Sequence, residues 1–306
     1  MRSRHTKSRS RGCSISCSDK EDSRVYDFKG KVALVTGVRS RRGLGHEIAL
    51  RFAREGANVA FSSREHRGGL PEEEKLVGWK GLDSVRDEIE ALGVRGLPIV
   101  ADVTNEKQVQ DMVAKTVAEF GRIDVVVANA GTAIMNGDML TMSAADWRAI
   151  IDTNLTGAFL TARTGARHMV ERGGGGAIVL IASTAAKVVE PHIGAYCPSK
   201  AGVITLGQVL AQELAPHGIR VNTICPGHFT TNLLAGQPAF KLSREKGISV
   251  AEAANEVLKD SYVKRILLKR VGYPQELANA VVFLASDEAS FITGQDYNVD
   301  GGYTTG

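Results

Sequence analysis

Tyr196 and Lys200 stand four residues apart at the start of an apolar helical run, and Ser183 lies thirteen positions earlier, just after the strand-like stretch 177–182. A four-residue step puts both side chains on one helix face, so the Lys200 ammonium is placed to favour the ionised phenol. An unperturbed phenol titrates near ~10, too high for base work at neutral pH, and a neighbouring cation brings it toward the operating range. Pro198 between them suits a first helical turn, where no amide hydrogen is needed. The three residues read as an acid/base device. For the Tyr/Lys pair alone, two surface residues at helical spacing is the plainer alternative.

Such a device needs a strand and a helix to carry it and a second site for what it acts upon. Residues 31–36 read as a buried parallel strand that runs into Gly37, Gly43 and Gly45 and then into an amphipathic helix beginning at His46. Strand, glycine turn and helix in that order place backbone amides and a helix N-terminus where a pyrophosphate can bind. Glycine is expected there because a Cβ would hold the ligand off the backbone.

Together these residues resemble the short-chain dehydrogenase/reductase family, and the resemblance covers 28–306. It is carried by the glycine loop, then Asp102-Val103, Asn129-Ala130-Gly131, Asn154, Ser183, Tyr196 and Lys200, in that order, followed by Pro226-Gly227-His228-Phe229-Thr230-Thr231 and a C-terminal 294–302 segment. The resemblance implies hydride transfer between a nicotinamide cofactor and a secondary alcohol or ketone. It implies Tyr196 as proton donor in the reductive direction, Ser183 polarising the carbonyl oxygen, and Lys200 lowering the phenol pKa and binding the nicotinamide ribose. Asn154 is expected to hold a water that relays protons to Lys200. Asp102 and Val103 are expected at the adenine, Asn129, Ala130 and Gly131 in the strand-end crevice, Leu44 and the glycines at the phosphates, and Pro226, Gly227, Phe229 and Thr231 at the carboxamide end. Two departures stand out: five residues, not three, separate Gly37 from Gly43, and Ala128 replaces the first of two asparagines.

Length 306 with 43% hydrophobic residues suffices for one large core. Apolar strand candidates recur at 31–36, 57–62, 96–101, 123–128, 177–182, 219–224 and 295–299 with helical patterns between them. The expected fold class is α/β, a single-domain Rossmann-type doubly wound parallel sheet of about seven strands with helices on both faces. No apolar stretch approaches the ~18 residues of a membrane span. Residues 1–27 form a Ser/Arg-rich segment with seven basic and four acidic residues, three of the chain's net four positive charges. A disordered leader is expected there, with nucleic-acid or membrane binding and an organelle transit peptide as weaker alternatives. Cys13, Cys17, Cys197 and Cys225 form no disulfide framework, and no cluster has metal-ligand spacing. A cytoplasmic protein with no nucleic-acid or membrane partner follows as the expectation.

Cofactor choice is expected to turn on the end of the second strand. An acid there would accept hydrogen bonds from both ribose hydroxyls and select NAD, but this chain has Ser63 and Arg64, with Arg39 near the same edge by resemblance. Charge-assisted donors at that place favour a 2′-phosphate, so NADP(H) is expected, with NAD(H) the alternative. Residues 65–82 read as an inserted loop anchored by Leu76, Val77 and Trp79. Residues 232–262 read as a helical substrate lid carrying Leu233, Leu234, Phe240, Ile248, Val257 and Leu258, with Lys187, Glu190 and His192 adding polarity nearby. The substrate is a small carbonyl or alcohol. A 3-oxoacyl-thioester or related carbonyl reductase is the leading reading, an NAD-dependent polyol, sugar or cyclic alcohol dehydrogenase the alternative. A sugar-nucleotide epimerase fits poorly because the chain after Lys200 only closes the sheet, and a non-catalytic dinucleotide sensor would not need the four site residues together. By resemblance a homotetramer is expected, with small residues at 157–158, 162, 165–166, 201–202 and 207 allowing helices to meet across two-fold axes.

Overall fold

Successive residues of a strand face opposite sides of a sheet, and here both sides are apolar. The computed structural model describes residues 25–65, 69–70, 74–75, 78–133, 138–231 and 236–305. In β1 (Val32–Thr36), Ala33 and Val35 join the core on one face while Leu34 joins the core on the other. The same alternation runs through β4 (Val125–Ala128) and β5 (Gly176–Ile181). With β2 (Asn58–Ser63), β3 (Gly96–Val100), β6 (Ile219–Pro226) and β7 (Asp296–Val299) these form one sheet ordered β3-β2-β1-β4-β5-β6-β7, every neighbouring pair parallel. The seven strands fall where the apolar runs place them.

Helices cover each face. Ile48 and Phe52 of α1 (Leu44–Arg54), Val85 and Ile89 of α2 (Leu82–Glu90), and Leu277 and Val281 of the helix Pro274–Ala285 pack on one side. Met112 of α3 (Glu106–Phe120), Ala162 of the helix Gly157–Arg172 and Val203 of the helix Tyr196–Leu214 pack on the other. The order of strands reverses between β1 and β4, so a crevice opens at the carboxyl ends of these strands, the place where such sheets bind ligands.

Between α3 and β5 the chain runs through α4 (Ala144–Ile151), a single π turn at Asp152–Thr156 and α5 (Gly157–Arg172) without a break. The extra residue of a π turn shifts the helix face, and it turns Asn154 inward. Then α6 (Tyr196–Leu214) starts at Tyr196, with Pro198 in its first turn. The chain continues into α7 (Gly236–Lys246) and α8 (Val250–Val257), which with Val263, Ile266, Val271 and Tyr303 form a third apolar cluster. The last helix is α9 (Pro274–Ala285).

Two expectations change. The small residues of α5 and α6 face this chain's own body: a Cβ on Gly165 would meet Val126, on Gly157 Val103, on Gly202 Leu155, and on Gly207 the Thr223 hydroxyl oxygen at 2.4 Å. They allow close helix approach to the sheet and to the π turn, so packing within this chain accounts for their small size. The ordered body also begins before 28. Tyr26 donates its amide hydrogen to Glu55 at 2.7 Å and tilts against Phe283. Residues 1–24 lie outside the described residues.

Within the insertion, Trp79 is buried edge-on against His46 of α1 at 5.2 Å and Leu70 packs on the same core. Glu74 accepts a hydrogen bond from the Arg41 amide in the glycine loop at 3.4 Å. Leu76 and Val77 lie outside the described residues, as do Leu233 and Leu234. Among described residues no helix is long and apolar enough to cross a membrane, and no group of three His, Cys, Asp or Glu could hold a metal. Cys197 and Cys225 are free and buried.

Candidate active site

A cavity of about 520 Å³ lies along the carboxyl ends of the strands. At its β1 end the chain turns at Gly37, whose φ of +78° is a left-handed conformation that favours glycine. The closeness of the loop to β4 decides the glycines here. A Cβ on Gly37 would sit 2.6 Å from the Ala130 Cα, and one on Gly45 would sit 2.6 Å from the Asn129 amide nitrogen and 2.7 Å from the Gly37 carbonyl oxygen. Room for the loop itself therefore requires them, in addition to room for a ligand. Gly43 precedes α1 with no side-chain cap, which leaves first-turn amides of α1 to other partners.

Asn129 ties the loop to the sheet. Its side chain donates to the Thr36 carbonyl at 2.8 Å and to that of Gly37 at 3.3 Å, while the amides of Asn129 and Ala130 donate to the Thr36 hydroxyl. Asp102 accepts from the amide and hydroxyl of Thr104, closing the turn that brings Asp102 and Val103 to the cavity wall. At the end of β2, Ser63 donates to the Arg64 carbonyl at 3.2 Å. The Arg39 guanidinium is shifted below its usual range, first by partial burial and then by the charge of Arg64. The two arginines are thus near enough to repel one another, and both line the cavity with Leu44 and Gly131.

The β5 and α6 end holds the titratable group. Ser183 caps a short 3-10 turn by accepting from the Ala185 amide at 3.1 Å. Half-buried Tyr196 is pushed above the usual phenol range by burial, and its hydrogen bond with Ser183 opposes that shift. Burial is thus the first cause of the Tyr196 shift, while the Lys200 Nζ lies 5.8 Å from the ring centroid and donates to the Ile181 carbonyl at 2.8 Å. Lys200 is itself buried, which lowers it to about 8. Beneath it Cys225 is pushed up to about 11, chiefly by burial, so it stays an inert thiol.

Asn154 sits one layer behind the cavity. It donates to the Thr132 carbonyl and to the Ser199 hydroxyl at 2.9 and 3.0 Å, and accepts from the Thr132 amide at 2.8 Å. Both its amide hydrogens are engaged, so the side chain braces the strand-end loop against α6. At the far wall, Pro226 ends β6, the Gly227 amide donates to the Val299 carbonyl, Phe229 packs on Gly272, and the Thr231 amide donates to the Phe229 carbonyl. All four line the cavity. Of the flanking polar residues only Glu190 does so, since Lys187 is drawn to Asp296 and Asn298 on β7. His228, Tyr262 and Tyr303 also line it. Sequence reasoning missed them because Tyr262, at the end of the 232–262 segment, and Tyr303, just after the 294–302 segment, reach the cavity only through the fold. Only His228, inside the Pro226-Gly227 segment, carried a signal.

Buried Lys200 gives the fold a measurable pH signature. Its folded value near 8 lies below the ordinary 10.5, so between these values the unfolded chain binds the extra proton and stability from this residue rises with pH. Between about pH 7.5 and about pH 9.5 the wild type is expected to gain ~2 kcal/mol relative to Lys200→Met. Denaturant titrations of both proteins at the two pH values check this, and equal slopes would contradict it.

The cavity thus joins a glycine turn with an uncapped helix start, a guanidinium pair and a Ser/Tyr/Lys group. The family model described as Enoyl-(Acyl carrier protein) reductase matches residues 37–304. A short-chain dehydrogenase/reductase of Armillaria gallica is 39% identical over 282 residues, covering 90% of this chain and 96% of that protein. The chain belongs to the short-chain dehydrogenase/reductase family. A 3-oxoacyl-(acyl-carrier-protein) reductase of Staphylococcus epidermidis is 36% identical, over 89% of this chain and 98% of its own length. Among solved structures, a short-chain type dehydrogenase/reductase from Mycobacterium marinum superposes with a TM-score of 0.75 at 36% identity, covering 92% of this chain and 97% of that one. Levodione reductase superposes at 0.74 with 29% identity, over 91% and 99% of the two chains. This short-chain dehydrogenase/reductase is an NAD(P)-dependent oxidoreductase acting on alcohol or carbonyl groups. Its glycine turn and α1 start fit a dinucleotide cofactor.

Proposed function

We propose that the protein is an NADPH-dependent reductase of the 3-oxoacyl-thioester type, converting a ketone to a secondary alcohol. The observation that carries this reading is one cavity with Ser183, Tyr196 and Lys200 at one end and the Arg39/Arg64 pair at the other. A nicotinamide bound along it supplies the hydride. The chain supplies orientation and the proton. Because burial keeps the Tyr196 phenol protonated at neutral pH, it is suited to give a proton to a carbonyl oxygen as that oxygen becomes basic. Ser183, already hydrogen-bonded to the phenol, donates to the same oxygen and stabilises its growing charge. Lys200 spends one hydrogen on Ile181, which leaves two for ribose hydroxyls, and its charge favours the phenolate left after proton release. Asn154 is a positioning residue that fixes Thr132 and Ser199 around this group.

NADP(H) preference is supported by the two guanidinium groups of Arg39 and Arg64 that line the cavity with Ser63 at the end of β2, a donor set suited to a 2′-phosphate. NADPH is expected to exceed NADH by at least about tenfold in kcat/KM, a difference of about 1.4 kcal/mol. Arg64→Ala should raise KM for NADPH far more than for NADH, and high salt should narrow the gap. Ser63→Asp should shift preference toward NADH. Equal efficiency with both cofactors in the unmodified protein would refute the assignment. Reduction of the nominated substrate class is tested by NADPH oxidation with 3-oxoacyl thioesters and simpler ketones, and the reading fails if none is reduced.

On this reading residues 28–306 act as one catalytic domain, with 65–82 an insertion beside the adenosine end and 232–262 the substrate lid. Support for the lid is that Ile248 and Leu258 pack in the third cluster, while Arg42 of the glycine loop sits 5.0 Å over Phe240. Val257 points outward. We place the protein in the cytoplasm, which suits its free buried thiols. The homotetramer reading rests on exposed Phe159 of α5, Val209 of α6, Tyr297 of β7 and Phe291 in the turn that precedes β7. Light scattering at micromolar concentration should give four times the chain mass, and a monomer would defeat it.

A further inference from the structure

On the β6 side of the cavity three rings meet. The His228 imidazole stacks on Tyr262 with centroids 3.9 Å apart and planes 29° from parallel, and meets Tyr303 edge to face at 4.6 Å. All three line the cavity, beside the wall formed by Ser183 and Tyr196. They come from three separate parts of the chain: the segment after β6, the turn after α8, and the last residues. The hydroxyls of Tyr303 and Tyr262 both hydrogen-bond to Glu190. Arg265 also donates to Glu190 at 2.8 Å and lies 4.5 Å over the Tyr303 ring. Burial alone would raise the Glu190 carboxyl, but the bonds from Tyr303 and Arg265 outweigh it and hold it below its usual range. The carboxylate is therefore ionised and balanced by Arg265. Burial lowers His228 to about 4, with Glu190 opposing and Arg265 adding to the shift. The imidazole is neutral at physiological pH, and the wall carries no net charge.

Firm support stands behind this wall. Tyr303 is 4% exposed and packs with Ala253, Ala254, Val263 and Ile266 in the third cluster, and close-packed interiors transmit shape without yielding. A neutral, fixed wall of ring atoms gains most from a ring-bearing partner, because aromatic groups in offset or edge arrangements gain beyond the area they bury. A flexible chain must also give up rotamer freedom to lie against it.

We propose that His228, held between Tyr262 and Tyr303, is a specificity-determining residue, and that this ring wall selects ketones whose carbonyl is in or directly attached to a ring. The proposal rests on the ketone-reductase reading above and deepens it: among ketones of equal size, the wall favours those that carry a ring next to the carbonyl.

The test uses the full chain with NADPH and measures kcat/KM for cyclohexanone-type and aryl methyl ketones, for open-chain ketones of equal carbon number, and for a short 3-oxoacyl thioester. Ring-bearing ketones are expected to exceed their open-chain counterparts by about tenfold or more. In His228→Ala this ratio should fall by about tenfold, whereas His228→Phe, which keeps a flat neutral ring, should retain most of it. Thermal melts of the three proteins identify any variant that fails to fold, and Tyr262→Leu then serves as the second probe of the same ratio. Open-chain ketones reduced as efficiently as ring-bearing ketones of equal carbon number overturn the ring wall while leaving the reductase reading intact. An equal loss on all substrates in His228→Ala and His228→Phe also overturns it. No reduction of any ketone removes both readings together.

Discussion

Tyr196→Phe is expected to lower kcat by about a thousandfold with little change in the Kd for NADPH, because only a proton donor is lost. The ring still fills its place at the head of α6, next to buried Ala195 and Cys197, so the fold should persist. Ser183 would keep its bond to the Ala185 amide but lose its phenol partner. Steady-state rates and fluorescence titration with NADPH separate the two effects. Activity within about tenfold of the parent would remove Tyr196 from the mechanism.

Lys200→Ala should behave differently, lowering kcat by about a hundredfold and weakening NADPH binding by about tenfold. Two roles are lost together. The ammonium that favours the phenolate disappears, and so do the two hydrogens available to ribose hydroxyls. The variant also leaves the Ile181 carbonyl without the Lys200 hydrogen bond, so a melting curve belongs beside the kinetics. A variant that lost rate but bound NADPH as tightly as the parent would confine Lys200 to the chemical step.

The sheet was legible because its central strands β1, β4 and β5 are short apolar runs between turn residues, and both faces of it are covered. The glycine loop was legible from its position between β1 and α1, although the reason for Gly37 and Gly45 was not. Their closest constraints are Ala130 for Gly37 and Asn129 for Gly45, 93 and 84 residues away in the chain, and no local pattern reports contacts of that separation. Asn154 shows the same limit: its position was read, but the π turn that aims it at Thr132 and Ser199 has no sequence signature. The small residues of α5 and α6 were read as a subunit seam. Periodicity locates an apolar or small-residue face without saying whether sheet or partner lies against it, and Val126, Thr223 and Leu155 answer that question. The burial that raises Tyr196 was not legible, because spacing gives proximity to Lys200 and nothing about how deeply the phenol is covered.

The most direct test follows a label. With NADPH carrying deuterium at the transferable C4 position and a ketone that the protein reduces, mass spectrometry and NMR of the product should find one deuterium on the new carbinol carbon. Tyr196→Phe should give almost none in the same time. NADPH consumed without deuterium on that carbon, or label transfer that Tyr196→Phe leaves at the parent rate, would contradict the account.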